Sequence, residues 1–327
     1  MPLCLSVAKS KASSVLEVVK RAGLLSEEYK IMHLNNTVLI PIKKPDTDLL
    51  RSVIEDFSVV ECNPPRRSVH VSVRVPSLDH LGDVVIVRRN VLDYTSVEEL
   101  VQRIRTVYPR VRAIWVKEET ANHYRKPLLR LLWGEEIREI VVKEYGILFK
   151  VKLGDVYYNS RLAEEHRRVA NVVKCGEVVL DAFCGIGGFA LHIAVLKPSM
   201  VIANDLNPDA YELLVENIQL NRRKFKGSII PLNLNTRDLL SVLRERSMDR
   251  IIADLPHQSL DYVEVYTSLL KPGGVLHLYI ISGQDENVER KVLEKLEGWH
   301  LRGCVSVLEY APKVLIYRCD LVKPHTV

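Results

Sequence analysis

The pattern of hydrophobic and polar positions changes near residue 154. From there onward, apolar runs of strand length alternate with segments of helical spacing, such as Phe189–Val195. The strand-length runs are Val178–Asp181, Met200–Asp205, Arg250–Pro256 and Val275–Ile281, followed by a terminal pair at Val305–Leu308 and Lys313–Arg318. Strands that alternate with helices are typical of βαβ units and a parallel sheet. The pattern therefore predicts an α/β domain over residues 154–327.

The first 62 residues have the mixed pattern of a small α+β domain. A short strand precedes helical spacing over Ser10–Ala22, which Gly23 ends as a C-terminal cap. Tyr29–His33 and Thr37–Ile42 alternate as the two strands of a hairpin. The double proline at Pro64-Pro65 reads as a linker, so this first domain is predicted to end near residue 62.

Residues 66–153 are predicted to form a second α+β domain. Ser96 followed by Glu99 is a capping box, and it predicts a helix over Val97–Val107. The predicted strands are Val69–Val75, Val111–Lys117, Ile137–Tyr145 and Ile147–Leu153. The chain is thus expected to have two small N-terminal domains and one larger α/β domain.

Composition limits the class of protein. Hydrophobic residues make up 47% and charged residues 27% of the 327, and no apolar run approaches the roughly 20 residues that span a bilayer. The N-terminus lacks a signal-peptide pattern, so we expect a cytoplasmic protein without a membrane partner. The six cysteines have no C-x-x-C spacing and are expected to be reduced thiols, although a disulfide stays open for a hyperthermophile.

The charge is mildly basic and unevenly distributed. The net charge is +5, and arginines recur in clusters through the first two thirds of the chain, as in Arg66-Arg67, Arg125-Lys126 and Arg222-Arg223-Lys224. Any one cluster could be a solvated helix face. Their recurrence favours a nucleic-acid partner.

A glycine-rich turn follows the first strand of the α/β domain. The run ends at Asp181 and continues into Gly185-Ile186-Gly187-Gly188 before the next helix. Glycine allows a sharp turn and a close approach to a ligand. A dinucleotide fingerprint would have a third glycine where Ala190 stands, and Asp181 would repel a diphosphate. The turn therefore predicts a cofactor with cationic or hydroxyl groups.

Further acids follow the other strands. Asp205 is placed to bind both ribose hydroxyls, Asp238 to meet an adenine amine, and Asp254 precedes Leu255-Pro256. This order resembles class I, Rossmann-like S-adenosylmethionine-dependent methyltransferases. The expected cofactor is S-adenosylmethionine, with the predicted contacts Tyr157, His166, Asp181, Phe183, Gly185, Gly187, Asp205, Leu206, Asp238, Leu239, Asp254 and Pro256.

Separated motifs extend the resemblance along nearly the whole chain. They are Leu78–Val87, His123-Tyr124-Arg125, Tyr157–Arg167, the glycine turn, Asn204–Pro208 and Asp254-Leu255-Pro256. With these motifs the chain resembles the archaeal and eukaryotic tRNA (guanine-N1)-methyltransferases that modify position 37, beside the anticodon. The N-terminal domain is similar to the tRNA-elbow-binding domain of the archaeal members. The resemblance implies methyl transfer to guanine N1 of tRNA.

The resemblance also implies roles for particular residues. Glu165 falls where the family has its general base, and Arg125 where it has the arginine that contacts the target guanine. Tyr157 matches an aromatic residue of the pocket. Asp254 and His166 depart from the family's usual asparagine and arginine, and Asp254 becomes the alternative base. On position alone each of these could be an ordinary surface or core residue.

Two other functions stay open. The same fold in some paralogues methylates a wyosine precursor at position 37 or transfers the aminocarboxypropyl group to it. A non-catalytic tRNA-binding protein is the alternative from another class, although a binder needs no cofactor pocket. We expect a monomer that needs no metal.

Overall fold

The computed structural model describes residues 2–26, 28–43, 50–51, 54, 56–65, 78–121 and 126–325, with side chains 119–121 and 126–127 left aside. Three predictions lie outside these residues: the strand at Val69–Val75, the Arg66-Arg67 pair and the His123-Tyr124-Arg125 loop. The chain divides into two compact units, residues 1–73 and 74–327.

The first unit has a helix on a small antiparallel sheet. Its elements are β1 (Leu3–Ala8), α1 (Ala12–Arg21), β2 (Met32–His33), β3 (Thr37–Ile42) and β4 (Ser58–Glu61). The strand order is β2-β3-β1-β4, and each neighbouring pair is antiparallel. Val15 and Val19 of α1 are buried with Leu5 and Ile40 of the sheet. Gly23, at φ +69°, ends α1 as predicted, because its N–H donates to the carbonyl of Lys20.

The expectation of reduced cysteines is wrong for four of the six. Cys4 of β1 forms a disulfide with Cys62, just after β4, and Cys304 forms one with Cys319. Cys175 and Cys184 are free thiols. The spacing gave no sign of either bridge, because each joins neighbouring strands whose pairing the sequence alone does not specify.

The second unit begins with a four-stranded sheet and a helix. Its strands are β5 (Leu78–Leu81), β6 (Val84–Arg88), β7 (Ala113–Ala121) and β8 (Lys126–Gly134), in the order β5-β6-β7-β8. The helix α2 (Val97–Val107) starts at Ser96, whose hydroxyl accepts the Glu99 N–H at 3.2 Å, as the capping box predicts. Leu100 and Ile104 of α2 pack on Val85 and Ile114.

A two-stranded hairpin follows and packs on the α/β part. It consists of β9 (Glu139–Glu144) and β10 (Ile147–Lys152), with Phe149 and Val151 in the same buried core as α3 (Ala163–Val172) and α5 (Pro208–Asn221). Asn217 of α5 bonds the N–H and the carbonyl of Lys150, and Asn221 does the same to Leu148. Helix α5 therefore holds the hairpin through polar as well as apolar contacts.

The largest element is a seven-stranded sheet. Its strands are β11 (Val178–Asp181), β12 (Met200–Asn204), β13 (Ser228–Leu232), β14 (Met248–Ala253), β15 (Leu270–Gly283), β16 (His300–Ala311) and β17 (Val314–Val322). The order is β13-β12-β11-β14-β15-β17-β16, parallel from β13 to β15 and antiparallel at β17 and β16. This confirms the predicted Rossmann-like α/β class, and the order reverses between β11 and β14.

Further α-helices in the described part of the unit are α4 (Gly188–Leu196), α6 (Leu239–Val242), α7 (Val263–Leu269) and α8 (Val288–Leu293). Helix α4, which follows the glycine turn, is apolar on most faces because it lies in the core. No helix in the described part of the chain is long and apolar enough to cross a membrane.

The description of Asp238 as a strand-end acid is wrong. The strand before it, β13, ends at Leu232, and Asp238 lies in a single 3-10 turn over Thr236–Asp238. Strand β13 is partly exposed and contains Pro231, so it lacks the continuous apolar run that marks the buried strands. Its position at the sheet edge accounts for both features.

Candidate active site

Three carboxylates meet where parallel strands end. Asp181 ends β11, Asp205 follows β12 and Asp254 follows β14. Burial raises the pKa of Asp181 well above its usual value, and the negative charges of Asp254 and Asp205 raise it further. The structure thus brings together three of the four predicted acids at the point where the strand order reverses, which is where open α/β sheets bind ligands.

Asp181 is the most constrained of these acids. It is fully buried, and neither carboxylate oxygen has a hydrogen-bond partner among the described residues. The nearby amide of Ala190 offsets only part of the rise in its pKa. A buried polar group without a partner costs roughly 1–3 kcal/mol. Asp181 is therefore a site at which a ligand with hydrogen-bond donors would be stabilised.

The glycine turn is joined to the second acid. The Gly185 N–H donates to Asp205 Oδ2 at 2.8 Å, and the Asn207 N–H donates to Oδ1 at 2.8 Å. Burial raises the pKa of Asp205, and these two amides offset part of the rise. Each carboxylate oxygen has two lone pairs, so one on each remains for a ribose hydroxyl.

Two glycines of the turn are required by close packing. Gly187 has φ +100°, and a Cβ there would lie 2.3 Å from a methyl carbon of Leu191. A Cβ on Gly188 would lie 2.5 Å from Nε2 of His166. At these two positions the turn therefore rests against the side chains beneath it and has no room for a Cβ atom.

An aromatic and aliphatic surface borders the same strand ends. The rings of Phe183 and Tyr262 lie 5.1 Å apart in a T-shaped arrangement, and Arg237 lies over Tyr262. Leu206 is exposed, and so is Asp238. Leu239 is fully buried in the core, so a contact from it would have to use its main chain. The carbonyl of Pro256 accepts the N–H of Ile281, which fixes the segment after Asp254 to β15.

Glu165 lies in the first turn of α3 and is only 6% exposed. Its carboxylate accepts hydrogen bonds from Tyr279 Oη, Arg318 Nη1 and Arg168, at distances between 2.6 and 3.0 Å. Burial raises the pKa of the Tyr279 hydroxyl, and the negative charges of Glu165 and Asp254 raise it further. Glu165 is therefore held by β15 and β17, two strands of the seven-stranded sheet.

His166 points away from Glu165 and into the core. Its Nδ1 lies 2.9 Å from Glu144 Oε2, and His192 Nε2 lies 3.1 Å from the same oxygen. Tyr158 Oη donates to Glu144 Oε1 at 2.7 Å. Burial raises the pKa of Glu144, but these hydrogen bonds outweigh it and bring the pKa to about 2. Burial lowers the pKa of His192 despite its bond to Glu144.

This Glu144 cluster supports the glycine turn from below, since His166 contacts Gly188. The ligand atoms of Glu144, His166 and His192 lie within 4.8 Å of one another, so they could hold a metal ion only by giving up these hydrogen bonds. His166, one of the predicted cofactor contacts, therefore lies behind the glycine turn.

Tyr157 lies just before α3 and is 49% exposed. Its hydroxyl accepts a hydrogen bond from the Asn159 side-chain amide at 3.3 Å. Arg125, the predicted guanine contact, lies outside the described residues, between β7 and β8.

A cavity of about 530 Å³ lies at the opposite end of the sheet, where β11, β14 and β15 begin. Half of its lining residues are charged, among them Arg168, Glu177, Arg250 and Lys271. Because it lies at the amino ends of the strands, it is separate from the strand-end acids.

Comparison with known proteins decides the family. A family model described as the TRM5/TYW2 methyltransferase domain matches residues 140–307, more than half of the chain. The tRNA methyltransferase 5 N-terminal domain matches residues 4–50. The chain belongs to the TRM5/TYW2 methyltransferase family.

Two TRM5/TYW2 relatives differ in how much of the chain they match. The tRNA (guanine(37)-N(1))-methyltransferase Trm5b of Pyrococcus abyssi is 30% identical over 316 residues, 92% of this chain and 88% of the relative. The tRNA(Phe) (4-demethylwyosine(37)-C(7)) aminocarboxypropyltransferase of Methanocaldococcus jannaschii is 31% identical over 232 residues, 70% of this chain and 88% of the relative. A solved complex of aTrm5 with tRNALeu has a TM-score of 0.73 and 26% identity, and covers 98% of this chain and 100% of the other.

The sequence did not predict which side chains form hydrogen bonds with Glu165 and His166. Arg318 and Tyr279 lie more than 100 positions from Glu165, and no local pattern links them. His192 did carry a signal, because it is a polar residue in an otherwise apolar helix, whereas the strand of Glu144 also contains Glu139 and Lys143. Such a residue predicts a buried polar contact, although not its partner.

Proposed function

We propose that this protein transfers a methyl group from S-adenosylmethionine to N1 of guanosine at position 37 of tRNA. The observation that carries the proposal is the buried Glu165 carboxylate, which accepts a hydrogen bond from Tyr279 Oη at 2.6 Å, while the charge of Asp254 also acts on that hydroxyl. A candidate base thus lies next to a candidate cofactor site. The similarity to Trm5b over both compact units supports tRNA as the substrate.

The residues present fit S-adenosylmethionine. Asp181 has unused acceptor capacity, Asp205 retains lone pairs for hydroxyl groups, and Gly185 has open space where a side chain would stand. The aromatic surface of Phe183 and Tyr262 suits the face of an adenine ring. S-adenosylmethionine bound there would supply the methyl group.

The protein side chains handle the proton and the charge. N1 of neutral guanine must lose its proton as it attacks, and we infer that Glu165 accepts that proton. Arg125 stabilises the negative charge that develops on O6, as an arginine fork does for an oxyanion. Asp254 accepts a hydrogen bond from the guanine amino group, since a carboxylate can only accept. We assign Tyr157 to the cofactor and substrate pocket as its aromatic residue.

The proposed assignment of domains follows the chemistry. Residues 1–62 and 66–153 contribute tRNA affinity, and residues 154–327 hold the cofactor and the base. We infer a monomer without a bound metal, acting in the cytoplasm. Size-exclusion chromatography and methylation in the presence of a chelator test the first two points.

Mass spectrometry of nucleosides tests the function directly. An unmodified tRNA transcript with G37 should acquire one methyl group on guanosine when it is incubated with the protein and S-adenosylmethionine. A transcript with A37 is the matched control and should stay unmodified. A product on another nucleoside, or none with G37, would contradict the proposal.

A second candidate function is methyl or aminocarboxypropyl transfer to a wyosine precursor at position 37. It is favoured by the 31% identity to the aminocarboxypropyltransferase. That similarity covers 70% of the chain, whereas the N-terminal family model at residues 4–50 supports the Trm5 assignment. The mass added to a precursor-bearing tRNA would separate the two functions.

A further inference from the structure

The Glu165 carboxylate is crowded with donors. Tyr279 Oη lies 2.6 Å from Oε1, and Arg318 Nη1 lies 2.8 Å from Oε1 and 3.0 Å from Oε2. Arg168 adds Nε at 2.8 Å from Oε2 and Nη2 at 3.0 Å from Oε1. A carboxylate has about four lone-pair positions. These contacts therefore occupy all of them, and none is left for the N1–H of a guanine.

The two arginines are held very differently. The Arg318 side chain is 5% exposed, and its Nε donates to Asp320 Oδ1 at 2.9 Å. The Arg168 side chain is 38% exposed and lies three residues from Glu165 on the same helix. Arg168 also lines the 530 Å³ cavity. Arg168 therefore has space to leave Glu165, whereas Arg318 is fixed between two carboxylates.

Asp320 is in turn held by His277, whose tautomer follows from its hydrogen bonds. His277 Nε2 lies 2.7 Å from Arg250 Nη1, and a guanidinium can only donate. His277 therefore accepts at Nε2 and donates from Nδ1 to Asp320, at 2.6 Å. Burial lowers the pKa of His277, which favours this neutral form.

We propose that Arg318 is the positioning residue that keeps Glu165 ionised and oriented, and that Arg168 leaves Glu165 when the target guanine enters. This inference rests on the proposed function, in which Glu165 accepts the N1 proton. Departure of Arg168 frees lone pairs for the N1–H. The N1–H bond then breaks toward Glu165, N1 bonds the methyl carbon, and the methyl–sulfur bond breaks with its electrons on sulfur.

There is a physical reason for Arg318 to stay at Glu165 and for Arg168 to leave it. A carboxylate buried without a cation is protonated more readily, and a protonated Glu165 could not act as a base. While Arg168 holds both oxygens of Glu165, no lone pair is left for the N1–H of the guanine. Retaining the buried arginine and releasing the exposed one satisfies both requirements.

The test is the pH dependence of single-turnover methylation at saturating tRNA and cofactor. Arg318→Met should move the acid limb of the rate profile upward by about 1 pH unit or more, as expected for loss of an adjacent opposite charge. Arg318→Lys keeps the charge and should return the limb near the wild-type position. Arg168→Met should leave the limb within a few tenths of a unit and the rate within about threefold, since its charge is screened by solvent.

Lys323→Met is the matched control. Lys323 is 5% exposed, follows β17 and donates to the carbonyls of Thr267 and Leu270, away from Glu165. It should lower stability and leave the acid limb unchanged. If Arg318→Met does not fold, Tyr279→Phe removes another donor from Glu165 and should move the limb in the same direction.

The results separate the inference from the function. An acid limb at the wild-type pH in Arg318→Met or Tyr279→Phe, or loss of most activity in Arg168→Met, would overturn the inference while methylation of G37 by the wild type stands. A wild-type protein that does not methylate G37 would remove the proposed function itself.

Discussion

Glu165 is the residue on which the proposed chemistry depends most directly. Glu165→Gln keeps the shape of the side chain and removes its basicity. The single-turnover rate should fall by about 100- to 10,000-fold, which is the usual effect of losing a general base, while cofactor affinity is retained. Quench-flow methylation and calorimetry measure the two quantities.

The neighbouring Glu164 provides the control for that change. Glu164 is exposed and accepts a hydrogen bond from Tyr145 at the surface. Glu164→Gln should methylate at close to the wild-type rate. A Glu165→Gln protein that is folded and as fast as wild type would move the role of base to Asp254.

Asp205 should affect binding more than chemistry. Asp205→Ala removes the acceptor for the Gly185 and Asn207 amides as well as the proposed ribose contact. Cofactor binding should weaken by roughly 1.5–3 kcal/mol, the range for hydrogen bonds to a charged group. Calorimetry with S-adenosylmethionine measures this loss. Unchanged affinity would place the ribose elsewhere.

At the scale of elements, the glycine turn and the helix beneath it act together. Gly188→Ala would place a methyl group 2.5 Å from His166 Nε2, so the ring or the turn must move. Overpacking of this kind costs about 1–3 kcal/mol. We expect a lower melting temperature and weaker cofactor binding.

Gly283 offers a matched comparison for Gly188. A Cβ there would meet the Glu286 side chain at an ordinary 3.6 Å. Gly283→Ala should therefore be nearly neutral in both measurements. Equal effects at the two glycines would show that the contact with His166 does not constrain the turn.

The Glu144 cluster should give the protein a characteristic pH dependence. The pKa of His192 is lowered in the folded state, so the unfolded chain takes up its proton first as the pH falls below about 6.5. The contribution of His192 to the free energy of unfolding is therefore fully present at higher pH. It is lost on acidification, by up to about 1.4 kcal/mol per pH unit.

Denaturant unfolding between pH 7.5 and 5.5 tests this sign. The free energy of unfolding should fall less steeply with acidification in His192→Phe than in the wild type. His300→Asn is the control, because His300 is exposed. A variant that keeps the full wild-type slope would assign the pH dependence to other groups.

The sequence predicted elements better than contacts. The hairpin β9–β10, the capped helix α2 and the buried strands β11, β12 and β14 all carried local patterns, because one face or both faces of each are buried. Edge strand β13 and the two disulfides did not. The same division holds in the site: Asp181, Asp205 and Asp254 follow recognisable strands, whereas Arg318 reaches Glu165 only through the sheet topology.

At the scale of the whole molecule, the first compact unit should contribute to tRNA binding and not to the chemical step. A chain reduced to residues 74–327 should bind tRNA more weakly, with a smaller dependence of affinity on salt because it makes fewer phosphate contacts. Single-turnover methylation should survive at saturating tRNA. Filter binding across a salt series measures the change.

Cofactor binding is the control for the truncated chain, since the strand-end acids all lie in residues 74–327. Its affinity for S-adenosylmethionine should match the full chain. A truncated protein that binds cofactor normally and tRNA as tightly as the full chain would contradict the assigned role of the first unit.

The side-chain amides of Asn217 and Asn221 make helix α5 a substitute for a third strand beside β10. Four residues of helix rise about 6 Å and two residues of strand about 6.6–6.8 Å, so side chains one turn apart can meet alternate residues of a strand. Each amide supplies one donor and one acceptor, as a strand neighbour would. The edge of β10 that faces α5 is thereby closed to pairing with another chain, because its backbone groups at Leu148 and Lys150 are satisfied within the chain.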